Sequence, residues 1–302
     1  MIILRRKQKW LAIICMATLC FAVLPGCGKQ EETGELIVFA AASMTETLTE
    51  LGQRYEADHP GVKVVFNFDS SGTLKTQIEE GAVCDLFISA GQKQMNQLDI
   101  NASKENNPDS LDYVLPESRM DLLENKVVLC VPRDVESKVS SFDDLAQKMQ
   151  TEDLLMAMGN EDVPVGQYTK KILEYYGLQE DALAYAGKIT YGSNVKEVTT
   201  QITRASVDCG IVYCTDAYSA GLDPVDYATP DMCGQVIYPA AVMKQSGKQE
   251  LAKDFLQYLT TEESMKVFEK VGFTGVDEMS LFGILFPLRS KKRFLELVCR
   301  KQ

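Results

Sequence analysis

From Leu36 onward, short apolar runs alternate with segments in which apolar residues return every three or four positions. That alternation predicts an α/β fold with mostly parallel sheets. Residues 36–40 read as a buried strand. The stretch 45–57 places Leu48, Leu51 and Tyr55 on one helical face, and His59-Pro60-Gly61 ends it. Residues 62–68 read as a second strand, 73–80 as a helix, and 85–90 as a third strand with another helix behind it. A second series follows: strand 127–131, helix 142–149, strand 154–158, helices 168–176 and 195–204, and strand 210–213. One more strand at 238–243 precedes helices at 249–259 and 264–271. No internal repeat is present.

The N-terminus changes the picture of where this fold resides. Arg5, Arg6, Lys7 and Lys9 precede an apolar run over residues 10–24, and Leu24-Pro25-Gly26-Cys27 follows. That order reads as a secretory signal. The run is about 15 residues, short of the roughly 20 needed to cross a bilayer as a helix. A small residue before Cys resembles the lipobox of bacterial lipoproteins, which implies cleavage after residue 26 and acylation of Cys27. The plainer alternative is an ordinary signal peptide. Polar residues 27–34 then form a tether.

Without residues 1–26, which hold four basic and no acidic side chains, the net charge falls from −12 to −16. No nucleic-acid partner is implied by that balance. Of nine cysteines, six lie beyond Cys27 (Cys84, Cys130, Cys209, Cys214, Cys233, Cys299) and none forms a C-x-x-C pair. Export permits disulfides, while their apolar surroundings suit buried thiols, so pairing stays open.

The chemistry concentrates where strands run into helices, because such turns expose unpaired N–H groups and the positive end of a helix dipole. Ala41-Ala42-Ser43-Met44-Thr45-Glu46 reads as a capping box with Ser43 at the cap. Asp69-Ser70-Ser71-Gly72-Thr73 repeats the arrangement, with Gly72 letting the backbone approach a ligand. Each serine taken singly is explained as a helix cap; the pair suggests one anion-binding cleft. Pro164-Val165-Gly166 opens a further helix, and Tyr213 stands at a strand end. Catalysis has little to build on. The chain has one histidine, His59, in a turn away from both serines, and no nucleophile elbow, phosphate-binding loop or H-E-x-x-H motif.

The blocks Val38-Phe39-Ala40-Ala41-Ala42-Ser43-Met44-Thr45, Ser70-Ser71-Gly72-Thr73-Leu74, Cys84-Asp85-Leu86-Phe87-Ile88-Ser89-Ala90, Val163-Pro164-Val165-Gly166 and Gly210-Ile211-Val212-Tyr213 occur in this order. Together with Gly272-Phe273-Thr274 they resemble the periplasmic molybdate-binding proteins of ABC transporters, over about residues 35–275. The resemblance implies a two-lobed periplasmic-binding-protein fold, each lobe a mixed, mostly parallel sheet flanked by helices, with the ligand in the cleft. Lobe one is expected at 35–124 plus 239–275 and lobe two at 125–238, with crossovers near Asn125 and Tyr238. Position by position, it implies hydroxyl or N–H donors at Ser43 and Ser71, backbone donors at Val165 and Val195, and a phenol at Tyr213. Ser70, Gly72 and Asn194 are secondary candidates.

On this resemblance the ligand is molybdate or tungstate, held by hydrogen bonds with no cofactor and no metal-ligating side chain. The partners are an ABC permease and its ATPase, the membrane is reached through the lipid anchor, and the protein is a monomer and not an enzyme. Every expected contact donates, so a fully ionised dianion suits the site. Hydrogen phosphate would bury an O–H without an acceptor, at roughly 1–3 kcal/mol. Rival readings are an exported hydrolase using Ser43 or Ser71, an oxyanion-sensing lipoprotein, and a binding protein for another oxyanion such as sulfate. Residues 276–302 depart from the family: an apolar run at 281–288 precedes Arg289-Ser290-Lys291-Lys292-Arg293. They read as a loosely packed extension or as a basic segment lying on anionic lipid.

Overall fold

The computed structural model describes residues 34–276. The signal segment, Cys27, Cys299 and the extension beyond Val276 lie outside those residues. The chain opens with β1 (Gly34–Ala41), a 3-10 turn (Ala42–Met44), α1 (Thr45–Asp58), β2 (Val62–Asp69), α2 (Ser71–Glu79), β3 (Leu86–Ile88), α3 (Gln92–Leu98) and β4 (Met120–Asn125). A second group follows: β5 (Val127–Cys130), α4 (Phe142–Thr151), β6 (Met156–Gly159), α5 (Pro164–Tyr175), α6 (Glu180–Tyr185), β7 (Ile189–Gly192), α7 (Val195–Thr203), β8 (Cys209–Tyr213), α8 (Cys214–Ala220) and β9 (Pro224–Tyr227). The short α9 (Pro230–Cys233) leads back through β10 (Val236–Val242), α10 (Gln249–Leu259), α11 (Glu262–Val271) and β11 (Thr274–Gly275).

The strands form two sheets, ordered β11-β4-β10-β3-β1-β2 and β7-β6-β8-β5-β9. Each sheet and its helices make one lobe of a periplasmic-binding-protein fold. The chain leaves the first sheet at Asn125 and returns to it at Val236. Pairing is not predominantly parallel: β1 with β2 and β3, and β6 with β7 and β8, run parallel, whereas every pairing made by β4, β5, β9, β10 and β11 is antiparallel. The reason lies in connectivity. Strands joined through a helix lie parallel, while strands that cross between sheets or close an edge arrive from the other direction.

Burial on both faces explains why β1 reads as an unbroken hydrophobic run. Leu36, Val38 and Ala40 belong to a core cluster that includes α1 through Leu48, Leu51 and Tyr55, while Phe39 belongs to a second cluster with Leu74, Phe87 and Leu98. A strand buried on both faces needs no polar positions. The strands missed in the sequence are those where this signal fails. β9 (PVDY) has a proline and an aspartate at a sheet edge, β7 (ITYG) is a four-residue edge strand with Tyr191 exposed, β4 carries Asp121 and Glu124, and β11 has two residues. Among the described residues the cysteines are unpaired thiols, Cys84, Cys130, Cys209 and Cys233 being buried. Burial pushes the Cys130 thiol up to about 12, the behaviour of a small hydrophobe.

Candidate functional site

Three helices point their N-termini at one small pocket between the lobes. Ser71 is the first residue of α2, Pro164 of α5 and Val195 of α7, and all three line the pocket with Ser43 and Tyr213. The pocket holds about 200 Å³ free of protein atoms, its open mouth included. The first N–H groups of each helix have no intrahelical acceptor, and the helix dipoles add partial positive charge there. Such a site attracts an anion without a cationic side chain.

The serines are held by different means than caps. Ser43 sits inside the 3-10 turn, and Met44, not Ser43, precedes α1 with no side-chain cap bond. The expected capping box is absent because the turn directs the Ser43 hydroxyl across the lobe to Tyr238 Oη, 2.9 Å away, while Glu46 reaches Lys196. In the second turn Ser70 is the cap, accepting from Thr73 N–H. That frees the buried Ser71, whose Oγ accepts from Ala90 N–H at 2.9 Å. Among the described residues no group accepts the Ser71 hydrogen, which leaves it available to a ligand.

Gly72 serves another purpose than close approach to a ligand. Its N–H donates to Asp162 O of the other lobe at 3.0 Å, and a Cβ there would lie 2.3 Å from that oxygen. Further bonds cross the cleft. Tyr213 Oη donates to Ala90 O at 3.3 Å, Asn194 Nδ2 to Asp69 Oδ1 at 3.4 Å, and Lys196 Nζ pairs with Glu46 at 2.8 Å. Burial pushes the phenols of Tyr213 and Tyr238 well above the ordinary tyrosine range, with nearby aromatic and acidic groups adding to it. Both therefore keep their protons and can donate.

Val165, by contrast, is not on the pocket wall, which Val163 and Pro164 form instead. Its side chain is fully buried in the core, so the larger residue does not narrow the pocket. Asn194 caps α7 by accepting from Glu197 N–H. The site is also not made of donors alone. Asp69, part of the quoted second turn but not expected as a contact, lines the pocket, its Oδ1 accepting from Ser70 N–H at 2.7 Å. Tyr238 and Asn125 were likewise missed, because nothing local marks a core tyrosine as the partner of a serine 195 residues away. Neither serine has a histidine beside it: His59 stacks on Tyr55 beyond the far end of α1 from Ser43.

Residues 36–274 match the family model described as bacterial extracellular solute-binding protein. The chain is 34% identical over 272 residues to a Bacillus subtilis (strain 168) protein provisionally named as the ABC transporter substrate-binding lipoprotein YvgL, covering 87% of this chain and 98% of that one. It is 33% identical over 279 residues to the molybdate-binding protein ModA of Escherichia coli (strain K12), covering 88% and 98%. Among solved structures, the substrate-binding domain of a provisionally assigned molybdenum ABC transporter from Clostridium difficile superposes with a TM-score of 0.58 at 33% identity, covering 80% of this chain and 99% of that one. With its two lobes and its pocket of helix N-termini, the chain belongs to the bacterial extracellular solute-binding proteins.

Proposed function

We propose that this protein binds molybdate, or tungstate, outside the cytoplasm and delivers it to the permease and ATPase of an ABC transporter, anchored to the membrane by a lipid on Cys27. The observation that carries the reading is the convergence of three helix N-termini with the free hydrogen of Ser71 on one pocket shared by both lobes. That arrangement stabilises a small multiply charged anion and needs no counter-cation. The names of the relatives supply the ligand. Because donors come from both lobes, ligand contacts are completed only when the lobes close, and binding drives closure.

Asp69 supports a second reading. A carboxylate on the wall can accept from an oxyanion that retains a hydrogen, such as hydrogen phosphate, and it repels a full dianion. Its Oδ1 is already engaged by Ser70 and Asn194, which favours the first reading. Isothermal titration calorimetry against molybdate, tungstate, sulfate and phosphate decides between them. Tight binding of the first two with weak sulfate and phosphate is expected. Preference for phosphate transfers the assignment to the second reading, and silence with all four removes both.

A further inference from the structure

We infer that closing the lobes on an anion takes up a proton at Asp216, while Lys196 passes from Asp216 on its own lobe to Glu46 on the other, so that ligand and proton are bound together. This rests on the oxyanion reading above.

The geometry sets two acids in competition for one cation. Lys196, in the first turn of α7, extends across the cleft to both carboxylate oxygens of Glu46, at 2.9 and 2.8 Å. Asp216, in the first turn of α8, is 0% exposed. Among the described residues neither of its oxygens has a hydrogen-bond partner, and Lys196 Nζ stands 3.6 Å from Oδ1. A carboxylate cut off from water and donors is costly and neutralises by taking a proton. Burial above all, with Lys196 opposing and Glu46 adding, pushes the Asp216 carboxyl up to about 7, its own backbone N–H being a minor influence. The other titratable groups around it supply no compensating charge. Glu197 of α7 turns to Ser193 N–H. Burial keeps Cys130, Tyr213 and Tyr238 protonated on β5, β8 and β10, and Cys214 on α8. The charged residues of α11, which also packs against α8, are all exposed.

Lobe one supplies what holds the proton on. Helices α7 and α8 both pack against the 3-10 turn Ala42–Met44, and Glu46 lies in the first turn of α1 just beyond it. When the lobes part, turn and Glu46 withdraw together. Water then reaches Asp216, the like charge of Glu46 is gone, and Lys196 is released to the carboxylate beside it. Each change favours the ionised form. On closure, solvent supplies one proton to the Asp216 carboxylate, while Lys196 stays an ammonium and Glu46 stays ionised throughout. The single histidine takes no part: His59 has its partners, Tyr55 O and Asp254, within lobe one. Because the raised value belongs to the closed form, affinity for a ligand that needs closure is greatest in acid. It falls by up to about tenfold per pH unit as pH rises towards 7, and levels off above.

The test is calorimetric titration of molybdate into the purified protein in buffers of different ionisation enthalpy, which reads the protons taken up per ligand bound. Wild type should take up about 0.5–1 proton at about pH 6 and close to none at about pH 9. Asp216→Asn, neutral at either pH, should take up none, and its affinity should no longer vary with pH. Glu46→Gln leaves Lys196 with Asp216 in both forms, so uptake should fall by about half or more. Near-UV circular dichroism checks that Asp216→Asn folds; should it not, Glu46→Gln, which alters an exposed side chain, carries the test. A purely structural role for Asp216 would weaken binding by the same factor at every pH and leave the proton count as in wild type, and that result overturns the inference. Buffer-independent heat in a wild type that binds molybdate overturns this inference alone. A wild type that binds no oxyanion brings down the function reading and this inference together.

Discussion

Gly72→Ala tests whether ligand binding depends on the two lobes meeting as described. The backbone at Gly72 lies outside the left-handed region, so alanine fits it and favours the helix by about 0.5–1 kcal/mol. The added Cβ, however, would lie 2.3 Å from Asp162 O, 2.7 Å from its Cβ and 2.8 Å from its Cα. These are mostly backbone positions on the opposite lobe, with no side-chain rotation to relieve them. Restoring ordinary contact at 3.4 Å requires the lobes to part by roughly 1 Å there. That stretches the Gly72–Asp162 bond from 3.0 Å and carries Tyr213–Ala90 (3.3 Å) and Asn194–Asp69 (3.4 Å) out of bonding range. Three inter-lobe bonds at about 1 kcal/mol each amount to about 3 kcal/mol, on the order of a hundredfold in the affinity of a ligand that needs both lobes. Calorimetric titration of molybdate measures the loss, and small-angle scattering with ligand shows a less compact variant. A ligand-free melting temperature at or above wild type establishes that the fold itself is intact. Affinity within about twofold of wild type, with unchanged compaction, would refute the reasoning.

Three other outcomes follow from particular groups. Asp216 is fully buried with no hydrogen-bond partner on either oxygen, and Lys196 Nζ at 3.6 Å is a charge partner too distant to bond; burial pushes its carboxyl from 3.8 up to about 7, with Lys196 offsetting part and Glu46 adding to it. The folded protein thus holds a proton the unfolded chain has released, so this contribution to stability is full below about pH 4 and declines as pH rises towards 7, by roughly 4 kcal/mol in all. Asp216→Asn flattens that slope in chemical denaturation between about pH 5 and 8, and a variant that retains the wild-type slope contradicts the assignment. Asp69→Asn removes a negative charge from the pocket wall; at a separation of roughly 6 Å, even in a water-like dielectric, this is worth about 1 kcal/mol against a dianion. Molybdate affinity then rises about tenfold by calorimetry, whereas a fall would show that the carboxylate serves the ligand. Ser71→Ala removes a donor and leaves the Ala90 N–H without its acceptor, so molybdate affinity drops about tenfold and the unfolding free energy falls by about 1–2 kcal/mol in urea titration.

Much of this architecture follows from the order of residues alone. The apolar run of β1, the helical spacing of Leu48, Leu51 and Tyr55, and the proline that opens α5 are local patterns, and local patterns specify elements because neighbouring residues enforce periodicity and turn chemistry. The serines at strand ends were legible for the same reason, and the ordered blocks placed the chain among two-lobed binding proteins. The functions of those serines were not legible. Whether Ser43 caps its helix or bonds Tyr238, whether Gly72 meets a ligand or Asp162, and whether Asp69 faces solvent or the pocket depend on which strands lie side by side and where the chain crosses between sheets. Those pairings join residues such as Ser43 and Tyr238, 195 positions apart, or Asp69 and Asn194, 125 apart. No local rule connects such pairs, because their approach is set by packing of the whole core.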